Sequence, residues 1–145
     1  PTFADTNRPC IAVGGVSVAG GQRSATALWF DRRGDDILRI GQGCGAFADG
    51  PGIALAIDGA GDDIVSGSDW CLGAARAAGF ALYRDLSGND RVVARRRTLG
   101  FGSDGIGLAV DDGGADERIA LDPSRGARDS GGSGVFADLP DETPR

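Results

Sequence analysis

Histidine, methionine and lysine are all absent from the 145 residues, so every basic side chain is an arginine. Without histidine, Ser-His-Asp and Cys-His nucleophile systems cannot be built, zinc loses its commonest nitrogen ligand, and the usual proton shuttle near neutral pH is missing. Without lysine there is no Schiff-base chemistry. A basic surplus is also lacking: the net charge of −6 argues against nucleic acid or an anionic membrane surface as partner. No run of about 18 apolar residues exists, so membrane insertion is not expected. The missing initiator methionine is expected of a processed chain or an excised fragment.

What is present is glycine, 26 residues of it, with 41% hydrophobic residues, enough for the core of one domain. Four segments align: "ALWFDRRGDDILRI" from Ala27, "ALAIDGAGDDIVSG" from Ala54, "ALYRDLSGNDRVVA" from Ala81 and "GLAVDDGGADERIA" from Gly107. Their aspartates Asp31, Asp58, Asp85 and Asp111, with Asp138 in a degenerate fifth copy, are spaced by 27, 27, 26 and 27 residues. Gly34, Gly61, Gly88 and Gly114 follow in step, as do Asp36, Asp63, Asp90 and Asp116. Such a period, with β-branched residues and glycine punctuation, predicts an all-β fold: a parallel β-helix, or β-solenoid. About five coils of about 27 residues are expected, each with three short strands, stacked at the strand spacing of ~4.8 Å. The solenoid domain is expected to span residues 1–138, followed by a polar tail at 139–145. An amphipathic helix led by Ser68 is the rival for "SDWCLGAARAAGFALYRD", but "GFALYRD" aligns with "GIALAID" and "GIGLAVD", which alternate like strands.

Alternation along the first strand assigns its faces. Leu28, Leu55, Leu82, Leu108 and Val135 are expected in the core with Phe30, Ile57 and Val110, leaving Arg84 to snorkel at the strand end or to mark an irregular coil. The opposite parity would then face outward: Ala27, Ala54, Ala81, Gly107 and Gly134, then Trp29, Ala56, Tyr83, Ala109 and Phe136. Trp29, Tyr83 and Phe136 would form an outward aromatic column in alternate coils, a candidate ligand-binding surface for a polysaccharide. The same flat face could instead be covered by another protein segment or subunit. Leu38, Val65 and Val92 of the second strand are expected inside.

Asp with Gly three residues on is the preference of a type I turn, which accounts for Asp31, Asp58, Asp85 and Asp111. It leaves Asp36, Asp63, Asp90 and Asp116. Stacked at ~4.8 Å, these carboxylates repel by ~0.9 kcal/mol per neighbouring pair even in water. Backbone N–H groups would offset that, and so would calcium shared between turns, which makes these four aspartates the candidate metal ligands. Counting from Asp58 excludes an EF-hand, because Asp63 stands where its glycine belongs and Asp69 where its glutamate belongs.

On Gly59, Gly61, Asp63 and Val65, then Gly34, Asp36 and Leu38, then Gly88, Asp90 and Val92, the chain resembles repeats-in-toxin β-rolls. In that family stacked glycine-aspartate turns trap calcium between coils, although its nonapeptide motif recurs at every turn and here one turn in three carries it. Over nearly its whole length the chain also resembles bacterial secreted or surface repeat proteins with "GLGLLxDxGGNDxY"-like units. This resemblance implies a β-solenoid, a secreted or cell-surface location and no defined activity.

Cys44 and Cys71 lie 27 residues apart in a column with Ser17 and Thr98, so a disulfide between adjacent coils and a ladder of small buried thiols are both open. Cys10 lies outside that column. The glycine runs "GQGCG" and "VGGVSVAGG" lack a P-loop lysine and read as tight turns, and the Arg95-Arg96-Arg97 run as a solvated edge. Acid catalysis needs a singular constellation, whereas these carboxylates recur in every coil. The expected function is therefore noncatalytic: an extracellular scaffold or interaction module, calcium its candidate cofactor, with carbohydrate binding as the alternative.

Overall fold

A computed structural model of the chain describes residues 26–140, together with the backbone of three short strands upstream of them. Those strands are β1 (Asp5–Thr6), β2 (Ile11–Val13) and β3 (Gly20–Gln22). Then come β4 (Thr26–Asp31), β5 (Ile37–Ile40) and β6 (Phe47–Asp49), followed by β7 (Ile53–Asp58), β8 (Ile64–Gly67) and β9 (Ala74–Arg76). The chain continues through β10 (Phe80–Asp85), β11 (Arg91–Ala94), β12 (Gly102–Ser103), β13 (Ile106–Asp112), β14 (Glu117–Ala120) and β15 (Arg128–Asp129) to β16 (Ser133–Leu139). Every third strand pairs in parallel, which gives a first sheet β1-β4-β7-β10-β13-β16, a second β14-β11-β8-β5-β2 and a third β15-β12-β9-β6-β3. The fold is thus the expected parallel solenoid with three strands per coil, and the described residues contain no helix. Residues 26–140 make about four coils rather than five, since the last copy contributes β16 alone to the first sheet.

The repeat fixes the register. Leu55 pairs with Leu82 and Asp58 with Asp85, and Leu82 in turn pairs with Leu108 and Asp85 with Asp111. Each coil closes at a glycine whose neighbours leave no room for a side chain. Gly61 has φ +152°, and a Cβ there would collide with the carbonyl oxygen of Gly34 one coil away; Gly88 repeats this against Gly61.

The faces of the first strand are the reverse of the expectation. Trp29 and Tyr83 are buried, 7% and 4% exposed, with Ala27, Ala54, Ala56, Ala81 and Ala109. Phe136 packs, partly buried, against the same core. Leu28, Leu55, Leu82, Leu108 and Val135 point outward with Phe30, Ile57 and Val110. Two causes act together. The inward parity ends in Asp31, Asp58, Asp85 and Asp111, all buried, so the alternation must bring those carboxylates inside. The first and third sheets also approach too closely for leucine: Ala54 and Ala81 pack directly on Ala48 and Ala75. Inward Leu38, Val65 and Val92 of the second sheet fill the wider part, as expected. With the aromatic column inside, Trp29 and Tyr83 cannot present stacking faces to a sugar, and the polysaccharide site built on Trp29, Tyr83 and Phe136 falls. Arg84 belongs to the outward set and pairs with Asp112 at the strand end.

Candidate metal centre

Two rows of aspartates converge on the interior corner between the first and second sheets. One row ends the first strand of each coil, as Asp31, Asp58, Asp85 and Asp111, and the other opens the second strand, as Asp36, Asp63, Asp90 and Asp116. The first three of each row are no more than 2% exposed.

The second row has a structural task. One carboxylate oxygen of Asp63 accepts the backbone N–H of Asp36 at 2.7 Å, Asp90 that of Asp63 at 2.8 Å, and Asp116 that of Asp90 at 2.6 Å. The residue before each runs a second ladder in the opposite sense. Asp62 donates its N–H to the Asp35 carboxylate at 3.0 Å, Asn89 to Asp62 at 2.8 Å, and Ala115 to the Asn89 side-chain oxygen at 2.9 Å. Adjacent coils are therefore clamped in both directions, by a buried ladder of bonds to carboxylates and an exposed one that ends on the Asn89 amide, which explains why acids or amides come in pairs at this turn.

The first row is where the expectation fails. A turn-capping bond exists at Asp31, whose carboxylate accepts the N–H of Arg33 at 3.3 Å. At Asp58, however, no N–H or hydroxyl group reaches either carboxylate oxygen, nor the second oxygens of Asp63 and Asp90; the side chains facing Asp58 and Asp85 are the carboxyls of Asp63 and Asp90. Asp85 lies 3.5 Å from the Tyr83 hydroxyl. Burial is the main cause that pushes the Asp58 carboxyl up to about 8, reinforced by Asp63, Asp31 and Asp36. Burial likewise pushes Asp85 up to about 10, with Asp90 and then Asp58 and Asp111 adding to it. Unpaired buried carboxylates are unfavourable. Two species satisfy them: a proton shared between Asp58 and Asp63 and between Asp85 and Asp90, or a cation.

The last coil shows the cation solution built into the chain. Arg118 takes the register position of Val92, and its guanidinium reaches Asp111 at 2.5 Å, Asp116 at 2.6 Å and Asp138 at 2.6 Å. Burial still raises the Asp111 carboxyl, but the facing guanidinium holds it to about 6.

Ligand-capable oxygens of Asp63, Asp85 and Asp90 lie within 4.8 Å of one another, as do those of Asp90, Asp111 and Asp116. Oxygens bound to one calcium ion at ~2.3–2.6 Å lie no more than about 5 Å apart, so both clusters have the dimensions of a calcium or similar hard-cation site. Arg118 already fills the second, which leaves Asp63, Asp85 and Asp90 as the open one, with Asp58 facing Asp63 in the same turn. Of the four ligands expected from sequence, Asp63 and Asp90 fall in this cluster, Asp116 is held by Arg118, and Asp36 lies outside both clusters. Asp85, Asp58 and Arg118 were missed. The turn preference of Asp-x-x-Gly accounts for both aspartates by spacing alone, and the signal for the third is an arginine in a column of leucine and valine.

Cys44 and Cys71 are buried thiols that are not bridged to each other. The Cys71 thiol donates to the Ser68 carbonyl at 2.9 Å, as the Thr98 hydroxyl does to the Arg95 carbonyl at 3.0 Å. The column is thus a ladder of small turn-closing donors, in which Cys71 pairs with Thr98. Cys10 and Ser17 lie outside the described residues. The arginine run divides: Arg97 lies over the Trp70 ring, 5.3 Å from its centroid, as does Arg76 at 5.4 Å, while Arg95 and Arg96 are exposed.

Compared with known proteins, the chain matches no family model, no curated protein and no solved structure.

Proposed function

We propose that the chain is a noncatalytic β-solenoid scaffold whose coils are pinned from within by a hard cation, calcium being the best match, held by Asp63, Asp85 and Asp90. One observation carries this reading: buried carboxylate oxygens without donors in the middle coils, beside a last coil where Arg118 supplies a positive charge to the corresponding acids. Oxygen-only ligands and no histidine favour calcium over zinc or copper. A secreted or cell-surface setting agrees with it, because extracellular calcium is high enough to load modules of ~10⁻⁴–10⁻³ M affinity. Burial of the acids supports a structural rather than a catalytic role, since a substrate could not reach them.

The test is thermal unfolding at pH 8 of the full chain in calcium, in magnesium and in chelator. Calcium at 100 times its dissociation constant should stabilise by ~2.7 kcal/mol, with magnesium weaker because it dehydrates reluctantly. Asp85→Asn should remove most of the calcium response yet raise stability in chelator, because the amide folds without taking up the proton that an Asp85 ionised in the unfolded chain must regain at pH 8. Identical midpoints in calcium and chelator would discard the cation site.

A further inference from the structure

The leucines displaced from the core create a surface that the scaffold reading has not used. Leu28, Leu55, Leu82, Leu108 and Val135 form one straight row across five parallel strands of the first sheet. Outward rows on either side carry isoleucine, phenylalanine, valine and alanine, and of the fifteen outward positions only Thr26, Arg84 and Ser133 are not apolar. Ile53, Ile106 and Val135 are 43%, 46% and 47% exposed. The one charge, Arg84, is drawn to the margin by its pairing with Asp112.

We propose that this face packs against the same face of a second copy of the chain, forming a two-fold dimer of sheets. Area supports it. Five strands at ~4.8 Å and six residues at ~3.3 Å give a face of roughly 24 by 20 Å, close to 480 Å². Two copies bury roughly 950 Å², above most chance contacts but just under the ~1,000 Å² that a stable interface should clear, which is the size of a weak, reversible pair. Shape selects the occupant. Straight apolar rows repeating at the strand spacing mesh with identical rows when one sheet is turned over the other at ~10 Å, as in a sandwich, and a two-fold sets the same patch against itself. With its only arginine already paired, the face asks no complementary charge of its partner.

The proposal extends the scaffold reading but is independent of the cation. Sedimentation velocity of the full chain in calcium should show a dimer with micromolar dissociation, as expected of an interface at the lower size limit. Leu82→Glu, on the central strand, should give a monomer, and the milder, strand-compatible Leu82→Thr should weaken the dimer about tenfold. Ile64→Glu, on the outward side of the second sheet, should leave it intact, and circular dichroism should show all three variants folded. A wild-type monomer at every concentration up to about 1 mM, or a dimer that survives Leu82→Glu, overturns the proposal. A monomer with an intact calcium response removes the dimer alone, and a dimer with no calcium response removes the cation site alone.

Discussion

Arg118 sits in a register column with Ala12, Leu38, Val65 and Val92. A single substitution thus turns an apolar rung into an internal counter-ion for Asp111, Asp116 and Asp138. Removing one partner of a buried ion pair leaves the other uncompensated, which typically costs ~3–5 kcal/mol. Arg118→Leu restores the shape of the column but not its charge, so it should destabilise by that order in chelator. Calcium should then recover part of the loss, because Asp90, Asp111 and Asp116 have the spacing of a second cation cluster once the guanidinium is gone. Urea unfolding of this variant with and without calcium checks both halves. A variant as stable as wild type in chelator would show that the acids are satisfied by protons alone.

At the scale of the element, the turn between the first two strands is the most constrained part of the coil. Gly61→Ala combines an unfavourable φ with a methyl group driven into the Gly34 carbonyl, and should cost more than ~2 kcal/mol. Gly131→Ala is the control: its φ is +78° but nothing lies within 4 Å of the added carbon, so only the left-handed penalty of ~1–2 kcal/mol remains. Equal losses in chemical denaturation would mean that coil stacking at Gly61 is looser than described. This turn also shows what was legible in sequence. Spacing alone gave the solenoid, the three strands, the in-register aspartates and the inward Leu38, Val65 and Val92, because stacked coils force equivalent residues into one row. The face of the first strand was not legible. Hydrophobicity assigns leucine to the interior, but here the strand's parity is set by its terminal aspartate, and a narrow junction admits alanine. The site follows the same pattern: a type I turn accounts for Asp58 and Asp85 by spacing alone, and so hides the acids that need a counter-charge.

For the whole molecule, a column of buried acids gives an uncommon dependence on pH. Asp58 has an ordinary value of 3.8 when unfolded and about 8 when folded, and Asp85 goes from 3.8 to about 10. Between about pH 4 and pH 8 the folded chain therefore holds protons that the unfolded chain has released. Stability falls with rising pH wherever the native state binds more protons, so the metal-free protein should be more stable at pH 5 than at pH 8. Paired surface acids in most proteins give the opposite trend. Calcium competes with those protons for the same oxygens, so its stabilisation should be small at pH 5 and large at pH 8. Urea midpoints at the two pH values, after exhaustive removal of metal and again in calcium, measure the crossing. A metal-free midpoint that rises from pH 5 to pH 8 would mean that Asp58 and Asp85 are ionised in the folded coil, with water or a donor that the buried corner does not provide.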